Sequence, residues 1–269
     1  MISGVFSRAE ALCELNQAEL DQAVHLGQLS RLRHGWYATP TASATVAAAV
    51  RAGGRLGCLS ALAFHGLWVP PCPQLHVIFR RYDPINTSLE AHLIPRWNFV
   101  GAVQPLPEAL AHVIAHHDAE TALIVLESAL HLRRIGMAEA EHLTRHAPKA
   151  KARVFAHLSP QAQAGTETRL RLFHQLRGVP VTPQYHVDGV GWCDLLVGDS
   201  LILEADSRQH HTGVENYRRD RERDLKLHML GYDSLRLTYE QVMLEWPATQ
   251  ARLSALLASR RHRRRRRPV

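Results

Sequence analysis

The apolar positions near the N-terminus follow a helical period. Ala9, Ala11, Leu12 and Leu15 form a short stripe opened by Ser7, with Glu10 three residues on, the reciprocal pattern of a capping box. Asn16 and Glu19 repeat that pattern ahead of a helix over 17–26, whose buried side is Leu20, Ala23, Val24 and Leu26; Gly27 ends it. Residues 29–39, LSRLRHGWYAT, then alternate apolar and basic residues about a His34-Gly35 turn, as a small hairpin does. Helix, helix and basic hairpin is the plan of a winged helix-turn-helix, and the same pieces also serve as plain packing modules. On the winged reading Gln17, Glu19, Gln22 and His25 are placed to face a DNA groove, with Arg31 and Arg33 on phosphates.

The middle of the chain is apolar at mixed spacing. Residues 43–52, 60–66, 107–117, 119–132 and 137–146 read as helices, and Leu75–Arg80 as a strand. His65, His112, His116, His117 and His131 are scattered here without a ligand spacing such as HExxH, so each is read as a satisfied surface or core histidine. No chemistry is expected between Thr45 and about Ala152.

Pro148–Ala164 reads as a connector, and a second domain starts at Gly165. Thr166 is expected to cap a helix over 167–177 that carries Glu167 in its first turn. An extended segment with Gln184 follows, then two apolar strands, WCDLLV (192–197) and LILEA (201–205). A charged helix over 214–230, a strand Ser234–Thr238 and a helix over 239–258 containing Pro247 complete the order. The strand at 201–205, the helix and the strand at 234–238 make a βαβ unit.

Each of those two apolar strands carries an acid. With Gly198-Asp199-Ser200 as a three-residue loop, Val197 faces Leu201 and the ladder sets Asp194 opposite Glu204. Two carboxylates at ~5 Å and an effective dielectric of ~20 repel by ~3 kcal/mol, which a cation between them would relieve. Strand periodicity adds Asp206 to the same face, and His210 and His211 come next along the chain. Hard oxygen donors beside imidazoles suit Mg²⁺-assisted hydrolysis, whereas a single polar hairpin face needs no metal.

Composition narrows the classes. Cys13, Cys58, Cys72 and Cys193 are far apart and form no CxxC, which speaks against a disulfide framework or a zinc site and fits a reducing cytoplasm. No apolar run of 18 residues occurs, so no membrane span is expected. The net charge is +7, but the last ten residues, RRHRRRRRPV, hold seven arginines; without them 25 basic residues meet 25 acidic ones. The basicity is therefore a tail, expected to be disordered, which either binds polyanions without sequence choice or only solubilises.

The order helix, three strands, helix, strand, helix, with its acids, resembles the PD-(D/E)xK restriction-endonuclease-like fold. Residues 165–257 are most similar to the Vsr-like relatives of very-short-patch-repair endonucleases. The shared pattern here is Glu167, Pro183-Gln184, Asp194, Leu203-Glu204-Ala205-Asp206, His210-His211, Arg219-Asp220 and Gly231 to Leu237. Residues 4–40, GVFSRAEAL…RLRHGWYA, resemble the AbiEi-type antitoxin winged helix, and 45–150 match its following segment loosely. Ser207 stands where a Gly is usual, Trp192 where a basic residue is common, and Asp206 in place of the signature lysine.

The expected architecture is thus α/β (α+β): a winged helix-turn-helix at 1–40, a mixed segment at 41–150, a restriction-endonuclease-like αβββαβ core at 165–257 and a basic tail at 259–269. The resemblance implies an Mg²⁺- or Mn²⁺-dependent DNA endonuclease. Asp194, Glu204 and the Ala205 carbonyl would bind the metal, and Glu167 would position its water. Asp206 with His210 or His211 would handle protons, or a basic residue of the 218–226 helix would replace the lysine. Gln184, Arg219 and Arg221 would meet DNA. The alternatives are a non-catalytic antitoxin-like repressor, with a cognate toxin or a second copy as partner, and a scaffold without DNA contact.

Overall fold

The computed structural model describes residues 3–80, 89–94, 98–145, 147–206 and 214–263, with the backbone alone at 206, 214–217 and 219. The chain is mixed α/β and divides into two compact units, residues 1–117 and 118–269. Among the described residues no helix is long and apolar enough to cross a membrane.

The first unit opens with β1 (Val5–Ser7), α1 (Arg8–Ala11), α2 (Gln17–His25), β2 (Ser30–Arg33) and β3 (Trp36–Ala38). Both expected capping boxes are present, Ser7 with Glu10 and Asn16 with Glu19. The hairpin forms, and β1, a strand the pattern did not indicate, completes an antiparallel sheet in the order β1-β3-β2. Leu20 is fully buried against Tyr37 and Ala11. There follow α3 (Ala44–Arg51), β4 (Arg55–Leu56), α4 (Cys58–Phe64), β5 (Leu75–Phe79), β6 (Leu89–Leu93) and α5 (Leu106–His116). The second sheet is β4-β5-β6, antiparallel then parallel. Trp36, Ala38, Val46, Val50, Leu56 and Val77 join one core, so residues 1–40 share their interior with α3, β4 and β5.

The second unit begins with three helices, α6 (Ala119–His131), α7 (Met137–Arg145) and α8 (Lys149–Phe155). Next come α9 (Gly165–Gln175), β7 (Val181–Val187), β8 (Gly191–Val197), β9 (Leu201–Asp206), α10 (Val214–Met229), β10 (Asp233–Thr238), α11 (Tyr239–Met243) and α12 (Trp246–Ala258). The helix–three strands–helix–strand order is as expected. The sheet runs β10-β9-β8-β7, with β7, β8 and β9 antiparallel and β10 parallel to β9 across the α10 crossover. Val197 pairs with Leu201, as a three-residue loop requires. The α10 face packs through Leu196, Ile202, Leu227 and Tyr232.

Three expectations change. The connector drawn at 148–164 lies inside the second unit, because α8 fills 149–155 and buried polar groups stitch the rest to α6. Glu127 on α6 is 1% exposed and pairs with Arg171 on α9, 2% exposed. The Glu127 carboxylate also accepts from the Ser159 N–H at 2.8 Å and the Thr168 hydroxyl at 2.7 Å, while Arg171 donates to the His157 carbonyl at 2.8 Å. Second, α9 starts at Gly165 with Ala164 at its cap position, so Thr166 lies within the first turn and is not the cap. Third, the basic tail is folded as far as Arg263: Arg261–Arg263 form a 3-10 turn with His262 buried. The His262 carbonyl accepts from the Asp199 N–H at 2.8 Å, and a Cβ at Gly198, where φ is +61°, would lie 2.4 Å from it.

Glu127→Ala should leave the Arg171 charge buried without its carboxylate. Unfolding free energy from urea titration should fall by about 3–5 kcal/mol, the range for removing one partner of a buried ion pair. A loss below about 1 kcal/mol, the scale of an exposed pair, would refute this anchoring role.

Candidate functional site

The expected acids meet where β8 leaves β9. The ladder runs Val197↔Leu201, Leu196↔Ile202, Leu195↔Leu203 and stops one step short of Asp194 and Glu204, the next residues along it. Asp194 takes over the vacated backbone donor: its Oδ2 accepts from the Ala205 N–H at 2.8 Å. The opposite neighbour is disturbed as well. In β7 the paired residues step from Pro183 to Tyr185, and Gln184 between them has φ +48°, left-handed for a residue with a side chain. That conformation aims Gln184 Nε2 at the Glu167 carboxylate, 3.0 Å away. Glu167, in the first turn of α9, also accepts from the Gln163 N–H at 3.1 Å.

Burial and charge explain the protonation of this site. Glu167 is buried, and desolvation, followed by the negative charge of Asp194, pushes its pKa up to about 7. Glu204, 6% exposed, is also raised by desolvation, but two arginines oppose the shift. Its Oε1 lies 2.7 Å from Arg223 Nη2 and its Oε2 3.2 Å from Arg236 Nε. The first contact is an ion pair without an aligned hydrogen bond, so the buried Oε1 keeps an unsatisfied lone pair. Arg236 also reaches Asp220 Oδ2 at 3.2 Å and Asp224 Oδ1 at 3.5 Å. Arg223 donates to the Trp192 carbonyl besides. The repulsion between facing acids is thus met by cations built into α10 and β10.

Asp206 ends β9, paired with Thr238. His210 and His211, expected as proton carriers, lie outside the described residues, and Arg219 is described by its backbone only. Arg221 is exposed, 3.9 Å from Asp224, on the rim of a cleft that Arg236, His228 and Arg261 also line. Of the basic residues considered in the 218–226 helix, Arg223 is the one that meets Glu204.

In the first unit, Gln17 and Gln22 are exposed on α2, where Gln17 accepts from Arg8 Nη2 at 2.6 Å. Arg31 is exposed beside His34, 3.0 Å away. Arg33 donates to the Gly53 carbonyl at 2.8 Å and lies over the Trp36 ring at 5.7 Å. Burial lowers its pKa, and its guanidinium serves the fold.

The same unit corrects the reading that its cysteines and histidines form no ligand set. Cys58, His76, His92 and His117 each offer one donor atom, all within 4.8 Å of one another, a group able to hold a metal ion. Cys58 Sγ lies 2.9 Å from His117 Nε2, and His76 Nδ1 lies 2.9 Å from His92 Nε2. Cys72 Sγ stands 2.8 Å from His76 Nε2. His112 stacks edge-on against His92, with ring centroids 4.6 Å apart. Burial pushes His76 and His112 down to about 3 and the Cys58 thiol up to about 12. Sequence spacing hid this group because β5 and β6 pair in parallel and bring His76 and His92 together across the sheet. No family model and no curated protein matches this sequence.

The raised Glu167 pKa fixes a pH dependence. Its folded value lies above the unfolded one, so the folded state holds the proton longer. Stability should then fall as pH rises from about 4.5 to about 7, by at most ~3 kcal/mol, and level off above. Glu167→Gln should flatten that window in denaturant titrations taken at several pH values. Asp194→Asn, which removes the neighbouring charge, should narrow it. An unchanged profile in both variants would refute the assigned coupling.

Proposed function

We propose that residues 165–257 are a metal-dependent phosphodiesterase that cuts DNA, similar to the Vsr-like endonucleases. The observation that carries this reading is the meeting of Glu167, Asp194 and Glu204 at a broken strand ladder, beside the backbone of Ala205. The donors fit a hard divalent cation such as Mg²⁺ or Mn²⁺: carboxylate oxygens of Asp194 and Glu204, and the Ala205 carbonyl. Both oxygens of Glu204 are ion-paired, with Arg223 and Arg236, so a cation there would exchange with those guanidiniums. A cation bound there polarises the scissile phosphate and lowers the pKa of its water.

The chain supplies the remaining parts. Glu167, with a pKa of about 7, is suited to take the proton of the attacking water near neutral pH. Gln184 and the Gln163 N–H orient that carboxylate. Arg223 and Arg236 hold Glu204 in place, and both stand where phosphate charge would gather. Asp206 and His210 or His211 keep their proposed proton roles. The Gln17 and Gln22 face of α2, with Arg31 and the arginines beyond Arg263, would hold duplex DNA.

A second reading, a DNA-binding regulator of antitoxin type, is favoured by one observation: Glu204 is already compensated by two arginines. Supercoiled plasmid incubated with Mg²⁺ separates the two. Nicking or linearisation that needs the metal, and that Asp194→Ala slows by about a hundredfold or more, is expected of the nuclease. DNA retained in a mobility-shift assay while plasmid stays intact with either Mg²⁺ or Mn²⁺ would overturn it in favour of the regulator.

A further inference from the structure

We propose that Cys58, His76, His92 and His117 bind one zinc ion, which ties four elements of the first unit together. Cys58 opens α4, His76 lies in β5, His92 in β6, and His117 directly follows α5. A tetrahedral zinc site with N and S donors has donor-to-donor edges of ~3.3–3.6 Å, from bond lengths of ~2.0–2.1 and ~2.3 Å. Two such edges now stand at 2.9 Å, as hydrogen-bonded pairs. Opening these two by about half an ångström and drawing together the other donors, all within 4.8 Å, would admit the ion.

Three further observations belong to a built site. His76 turns Nδ1 toward His92 and Nε2 toward Cys72 Sγ, so the ring is oriented from behind, as ligating histidines are. Cys58 sits at φ +52°, a conformation rare outside glycine, and its N–H is held at 2.9 Å by the Gln104 side chain. Gly57 before it has no room for a side chain: a Cβ would meet Ile78 Cγ2 at 2.3 Å. The fold thus holds the thiol in a strained pose beside the three imidazoles.

The donor types select the ion. One thiolate and three imidazoles suit zinc and are poor partners for Mg²⁺. Four protein donors also fill the coordination shell, the mark of a structural site rather than a catalytic one. A staple has work to do here. The β4-β5-β6 sheet is small, with strands of two and five residues, and β6 is a half-buried edge held by β5 alone among the described residues. Binding releases the thiol proton as the thiolate forms.

The test uses the full chain, stripped with a chelator and titrated with Zn²⁺ against a chromophoric chelator, and in parallel with Co²⁺. Expected are one tight equivalent of zinc and a thiolate-to-cobalt charge-transfer band. Cys58→Ser should abolish the band, and Cys13→Ser should keep it. Cys72→Ser should keep the band while weakening zinc binding about 10–100-fold, the usual effect of losing an outer partner of a ligand. Asp194→Ala should retain the tight equivalent, which separates this centre from the carboxylate site. If Cys58→Ser does not fold, His92→Gln on the edge strand carries the test and should lose the tight equivalent. The proposal is overturned if the folded wild type takes no zinc from the chelator, or if the tight equivalent survives in folded His92→Gln.

Discussion

The second unit depends on a carboxylate and a guanidinium held away from water. Burying Glu127 and Arg171 costs several kcal/mol per ion, and their mutual attraction offsets this only when the other polar atoms are also satisfied. Here Ser159, Thr168, His157 and Gln175 supply most of those bonds, and Arg171 Nε is left without one. The cost is met only if α6, the 157–159 segment and α9 come together. That makes the pair a specificity device: it sets where α9 lies, and α9 carries Glu167. A second pair, Arg169 to Glu120 at 2.5 Å, adds another bond between the same two helices.

Strain and charge then divide the work at both sites. Among the described residues four non-glycine residues have left-handed backbone. Arg133 and Arg260 simply follow helix ends, a common place for it. The other two, Gln184 and Cys58, stand at the carboxylate cluster and at the Cys/His cluster. Such residues persist only where surrounding structure over-determines them. At Gln184 the return is a donor aimed at Glu167. At Cys58 it is a thiol turned toward three imidazoles.

The second unit's strands were legible in the chain because short apolar runs and a Gly-Asp-Ser turn are local signals. The register that sets Asp194 near Glu204 comes from loop length alone, and the structure keeps it to Leu195↔Leu203. The capping boxes at Ser7 and Asn16 were readable for the same reason. Long-range pairing hid the rest. Glu127 looks like an ordinary helical acid until Arg171, 44 residues on, is placed against it. The contacts of Arg33 with Gly53 and Trp36 are likewise invisible in the chain. His76 and His92, 16 residues apart, show no ligand spacing and meet because two strands run parallel. The 3-10 turn at 261–263 hides in an arginine run, since only the buried His262 distinguishes it.

The two clusters sit at opposite electrostatic extremes, and that decides what each accepts. In the first unit burial keeps His76 and His112 neutral at any physiological pH, and Cys58 holds its proton. A strongly hydrated Mg²⁺ would gain little from a neutral thiol and neutral imidazoles, whereas a metal that displaces the thiol proton would gain a thiolate. In the second unit Glu204 is balanced by Arg223 and Arg236, and Glu167 titrates near neutral pH. On the proposed nuclease reading, a hard cation would find oxygen donors there, and its arrival would free guanidiniums to meet an anion. Exchange of partners between two charged states suits a site that must turn over, while displacement of a proton from a buried thiol suits one that must hold. On the two proposals together, the difference in burial and donor type would separate a labile centre from a static one within the same chain.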